Sequence, residues 1–81
     1  MKSTKERLAT NLRKLRNKRQ EESDGEGLSQ TDLAEKAGLS RTYIAQVENG
    51  YTSPSFDAVD RLAEALDVDP SEFFKPIEES N

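Results

Sequence analysis

Apolar residues recur along this chain at spacings of three and four, and four runs of them predict amphipathic helices. Leu8, Leu12 and Leu15 mark a first helix from about Thr4 to Arg19, opened by a capping box between Ser3 and Glu6. Leu33, Ala34 and Ala37 mark a second, and Ile44 and Val47 a third. Between these two lies Gly38-Leu39-Ser40. The glycine can take the left-handed conformation that closes a helix, and the serine can accept from the free N–H groups that open the next. Phe56, Val59, Leu62, Ala63 and Leu66 form the stripe of a fourth helix, with Asp57 and Asp60 near its positive end and Arg61 and Glu64 facing water.

One starting device repeats three times. Leu28, Ser29 and Leu33 combine an N-cap with a hydrophobic staple; Leu39, Ser40 and Ile44 repeat the offsets; Val68, Asp69 and Phe73, with Pro70 at the first position, start a last short helix. Gly50 stops the third helix, and YTSPS around Pro54 reads as a turn. There is no strand-like alternation and no internal repeat. The expected fold is all-α: five helices around one small core, a single domain over 1–81, with a two-helix corner at 30–49.

Two stretches fall outside this pattern. Residues 20–26, QEESDGE, hold four carboxylates and no apolar side chain, and are expected to form a flexible acidic loop. Their spacing does not fit a twelve-residue calcium loop, so no metal is expected. Residues 75–81 have no core pattern and form a tail.

Composition narrows the function. No apolar run is long enough for a bilayer, residues 1–12 lack the apolar region of a signal peptide, and there is no cysteine, so no membrane association and a cytoplasmic location are expected. Without histidine, cysteine or a glycine-rich phosphate loop, neither an enzyme nor a cofactor is expected. The net charge of −4 conceals a polarity. Residues 1–19 hold eight of the twelve lysines and arginines against the single acid Glu6, leaving four basic and fifteen acidic residues for the rest. A nucleic-acid partner needs a basic face, not a basic protein.

Gln30, Ala34, Gly38, Ile44, Val47 and Asn49-Gly50, followed by Pro54-Ser55 and LAEALDV, resemble the Xre/Cro-type helix-turn-helix domain of lambda-repressor-like regulators, over roughly residues 8–74. Within that family RTYIAQVENG is most similar to small stand-alone regulators, including phage-type repressors and restriction-modification controller proteins. The chain departs from the family at QEESDGE, which stands as an insertion between the first and second helices.

The resemblance implies a double-stranded DNA partner. Ser29 and Gln30, at the start of the second helix, sit where free N–H groups and a positive dipole end can meet a phosphate. Arg41 and Thr42, near the start of the third helix, and Gln46 one turn later are the expected base readers. Arg41 can donate two bonds to guanine, Gln46 can pair with adenine, and Thr42 can offer a methyl to thymine or a hydroxyl to a base edge. Ser40, Tyr43 and Asn49 are implied phosphate contacts, with Tyr51 and Thr52 nearby. The first three have structural roles open to them as well: an N-cap, packing beside Val47, and a helix terminus. The resemblance also implies an Arg16–Glu48 ion pair that presents Arg16 to phosphate. Arg13, Lys18 and Arg19 are secondary phosphate candidates.

A domain of this size is expected to read a palindromic operator in the major groove as a homodimer, with Phe74 and Ile77 at the interface and Phe73 shared with it, a core-capping role being open to all three, and to act as a repressor. The alternative is a protein-interaction module, such as the antitoxin partner of a toxin, for which DNA binding is autoregulation.

Overall fold

The computed structural model describes residues 3–22 and 28–77. They form four α-helices, α1 (Thr4–Glu22), α2 (Gln30–Ala37), α3 (Arg41–Glu48) and α4 (Phe56–Leu66), and a closing 3-10 turn (Pro70–Phe74). No described helix is long and apolar enough to cross a membrane.

Helix starts follow the side chains that cap them. At α1 the Ser3 N–H and hydroxyl donate to the Glu6 carboxylate while the Glu6 N–H donates to Ser3 Oγ. Ser29 and Asp32 make the same reciprocal box at α2, and Ser40 Oγ accepts from the Tyr43 N–H at α3. The start of α4 is capped too: Ser55 Oγ accepts from the Ala58 N–H, a role hidden in the sequence inside a turn-like YTSPS. Helix ends follow the residues able to take positive φ. Gly38 (φ 69) and Gly50 (φ 73) close α2 and α3, the latter with the Gly50 N–H on the Val47 carbonyl and the Tyr51 N–H on that of Gln46. Asp67 does the same for α4 at φ 56 without a glycine.

The core is one cluster in which every element takes part. Leu8 and Leu12 of α1, Leu33, Ala34 and Ala37 of α2, Ile44 and Val47 of α3, and Val59, Leu62, Ala63 and Leu66 of α4 meet Leu28 and Phe73. The α2–α3 corner lies between α1 and α4, so α3 is held from one side while its other side faces solvent.

The structure corrects four expectations. Helix α1 runs on past Arg19 to Glu22, because Gln20, Glu21 and Glu22 are good helix formers and nothing breaks the helix before Ser23. Of the expected acidic loop, residues 20–22 are therefore helical, and 23–26 lie outside the described residues, as do 78–81 of the tail. Phe56 is 89% exposed: it sits on the first turn at the margin of the α4 stripe, which begins at Ala58. The fifth helix is a five-residue 3-10 turn, since Pro70 and Pro76 bracket too short a segment to propagate an α-helix. Its N-cap is Asp69, whose carboxylate accepts from the Ser71 N–H at 2.9 Å, and that bond lowers its pKa below the ordinary value. Finally, Phe73, expected at a subunit interface, is 1% exposed and belongs to the core; the hydrophobic staple that starts the turn carries it inward.

Candidate nucleic-acid interface

Helix α3 has two faces with opposite roles. Ile44 and Val47 are fully buried and fix its rotation, which leaves Arg41, Thr42 and Gln46 exposed on the other side. Thr42 and Gln46, four positions apart, share a face and Arg41 adjoins it at the start of the helix, so a guanidinium, a hydroxyl with a methyl, and a carboxamide are all presented to solvent. Tyr43 does not join them fully: it is half-buried and packs on the core, as its spacing from Val47 allows.

The rear of α3 is held by a buried carboxylate. The Glu48 side chain is 1% exposed and accepts from Arg16 twice, Nε to Oε2 at 2.7 Å and Nη2 to Oε1 at 2.9 Å. The Gln30 amide adds a third bond to Oε1 at 3.1 Å, and Arg16 Nη1 donates to the Leu28 carbonyl at 3.2 Å. Three helices therefore meet at one carboxylate. A buried charge is tolerated only when paired and hydrogen-bonded, and a bidentate arginine is the geometry best suited to it. Two residues expected at phosphate thus have structural partners: Arg16, whose side chain is 12% exposed, and Gln30, one of whose amide hydrogens is committed to Glu48.

The remaining candidates occupy the edges of the α3 face. Ser29 and Ser40 are exposed N-caps, and Asn49 is exposed at the C-cap of α3. Tyr51 is 78% exposed and Thr52 half-buried in the connection to α4. Lys18 is exposed on α1, while the Arg19 side chain lies outside the described residues. Among the described residues no cluster of histidine, cysteine, aspartate or glutamate could hold a metal ion.

Two residues with defined roles had no distinct mark in the sequence. Arg13 donates from Nη2 to the Glu48 main-chain carbonyl at 2.9 Å, at the end of α3. Asn11, buried on α1, donates from Nδ2 to the carbonyls of Phe73 and Lys75, both at 2.9 Å. The only available signal for Asn11 was a polar residue one position before a leucine of the α1 stripe.

A helix-turn-helix family model (HTH_3) matches residues 24–73. The chain is 35% identical over 78 residues to the control protein C.MunI of Mycoplasma sp, covering 96% of this chain and 97% of that one. It is 40% identical over 42 residues to the ImmF control region 10 kDa protein of Bacillus phage phi105, a match that takes in 52% of this chain and spans only about half of the phage protein, 47%. Among solved structures, the restriction-modification controller protein C.AhdI from Aeromonas hydrophila superposes with a TM-score of 0.74 at 37% identity, over 86% of this chain and 96% of that one.

Proposed function

The chain belongs to the helix-turn-helix family, and on that premise we propose that it is a DNA-binding transcription regulator, a dimeric repressor of a palindromic operator. Its near full-length likeness to control proteins of restriction-modification systems supports a controller role of the same kind for this chain. In this reading α3 enters the major groove, where Arg41 pairs with guanine, Gln46 with adenine, and Thr42 meets a thymine methyl or a base edge. Ser29, Gln30, Ser40, Tyr43, Asn49, Tyr51 and Thr52 engage phosphates on either side, and Arg16 lends charge from behind Glu48. Phe74 and Ile77 supply the apolar part of the subunit contact.

The observation that carries the reading is the orientation of α3, with Ile44 and Val47 wholly buried and Arg41, Thr42 and Gln46 exposed. The test is selection of bound duplexes from a random pool, followed by binding of the selected duplex across salt. A palindromic consensus is expected. Arg41→Ala should lose about 1–3 kcal/mol on the consensus and little on random DNA. Equal losses on both would remove Arg41 from base reading, and a consensus without symmetry would argue against the dimer.

A further inference from the structure

Arg13 is half exposed, with 51% of its side chain accessible, yet its guanidinium is directed at the end of α3 and not outward. Nη2 donates to the Glu48 carbonyl at 2.9 Å and lies 3.5 Å from Asn49 Oδ1, while Nε is 3.9 Å from Glu48 Oε1. The last carbonyls of a helix lack intrahelical donors and carry the negative end of its dipole, so a cation there both satisfies an acceptor and fixes the terminal turn. Arg16 grips the Glu48 side chain and Arg13 its main chain, and the two together bolt α1 to the C-terminal turn of the reading helix.

Asn49 is where this has a consequence. With Oδ1 turned toward Arg13, the carboxamide presents its donor nitrogen on the opposite edge, at an exposed position. The neighbouring Gly50 leaves open space beside it: a Cβ built there would meet nothing within 4 Å. A shallow cleft of about 270 Å³ between α1 and the end of α3 is lined by Arg13, Glu48, Asn49 and Gly50. Glu6 lines it too, a second carboxylate beside the arginine-paired Glu48. We propose that Arg13 is a positioning residue for DNA binding, holding the α3 terminus and turning the Asn49 carboxamide so that its Nδ2 donates to a backbone phosphate. The inference rests on Asn49 being a phosphate contact. It differs from a role for Arg13 as a loose surface cation, which any positive charge would fill.

Lysine separates these roles, because it keeps the charge but has a single nitrogen, which cannot sit on the Glu48 carbonyl and Asn49 Oδ1 as Nη2 does while a second, Nε, faces Glu48 Oε1. Affinity for the selected duplex is measured for wild type, Arg13→Lys, Asn49→Ala and the double variant at one salt concentration, with thermal unfolding of each as the control for folding. Asn49→Ala should weaken binding about tenfold, the scale of one hydrogen bond to a charged group. Arg13→Lys should weaken it about fivefold in wild type and by less than about twofold once Asn49 is absent, with the base consensus unchanged. The Asn49 side-chain amide resonances of free protein should shift in Arg13→Lys. Equal effects of Arg13→Lys in both backgrounds, or none in either, overturn the positioning role alone. An Asn49→Ala variant that binds like wild type instead overturns the phosphate reading of Asn49 and the inference built on it.

Discussion

Asn11 and Glu48 are the two polar side chains buried among the described residues, and each joins elements distant in sequence. Asn11 reaches across to the carbonyls of Phe73 and Lys75, 62 and 64 positions away, and so pins the closing turn to α1. Truncation to alanine removes both bonds and leaves two carbonyls without their donor. Asn11→Ala should therefore cost about 2 kcal/mol in urea unfolding, and an unchanged midpoint would mean that the turn is held by Phe73 alone. Such residues are the least legible from sequence. Nothing adjacent to Asn11 announces a partner more than sixty residues on, and Arg13 looks like every other cation in a run of eight. Arg41, Thr42 and Gln46 were legible because their exposure follows from the helical phase of Ile44 and Val47, two positions whose burial any compact fold demands.

At the scale of elements, starts were more legible than ends. Serine or aspartate directly after an apolar residue marks Ser29, Ser40 and Asp69 as caps, and Glu6 three positions on marks Ser3, because one side chain and one near N–H suffice. Ser55 escaped, since the proline before it gives the same five residues the look of a turn. Ends depend on a single left-handed residue, visible when it is Gly38 or Gly50 and invisible when it is Asp67. The strain this implies can be measured at Gly38, whose φ of 69 sets the angle of the α2–α3 corner. Gly38→Ala should cost about 1–2 kcal/mol, the penalty of a Cβ in the left-handed region, and lower the melting temperature by roughly 4–8 °C per kcal/mol. The added carbon would lie 3.3 Å from Arg61 Nη1, the end of an exposed and adjustable side chain, so the backbone and not the contact carries the cost. Gly38→Asn should cost less, as Asp67 already shows a non-glycine residue closing a helix here. Equal melting temperatures for glycine and alanine would show that the corner relaxes to another conformation.

For the whole molecule the tension is electrostatic: in the proposed function a chain of net charge −4 approaches a polyanion. The polarity along the sequence answers part of it. Helix α1 exposes Lys5, Arg13, Lys14 and Lys18, and its Arg16 and Arg13 are held against the end of α3, so the positive part of the chain is packed behind α3. Opposing it are Glu21 and Glu22, which continue α1 itself, followed by Asp24 and Glu26. Two carboxylates at the end of α1 and two on the connection to α2 adjoin in sequence the elements that carry Arg16 and Gln30, and at low salt the field of such charges extends over tens of ångströms. Replacing them together by Gln, Gln, Asn and Gln preserves chain length and the helical propensity of α1 while bringing the net charge to zero. Nonspecific affinity for random duplex should then rise several-fold at about 10 mM salt, where the Debye length is about 30 Å, and the gain should shrink toward nothing near 1 M, where it is about 3 Å. Preference for the selected operator over random DNA should fall at low salt, since nonspecific binding gains most from added attraction. Unchanged affinity at low salt would mean that these acids face away from DNA. A gain that persists at high salt would point to a direct contact, with the segment then acting as part of the interface and not as a brake upon it.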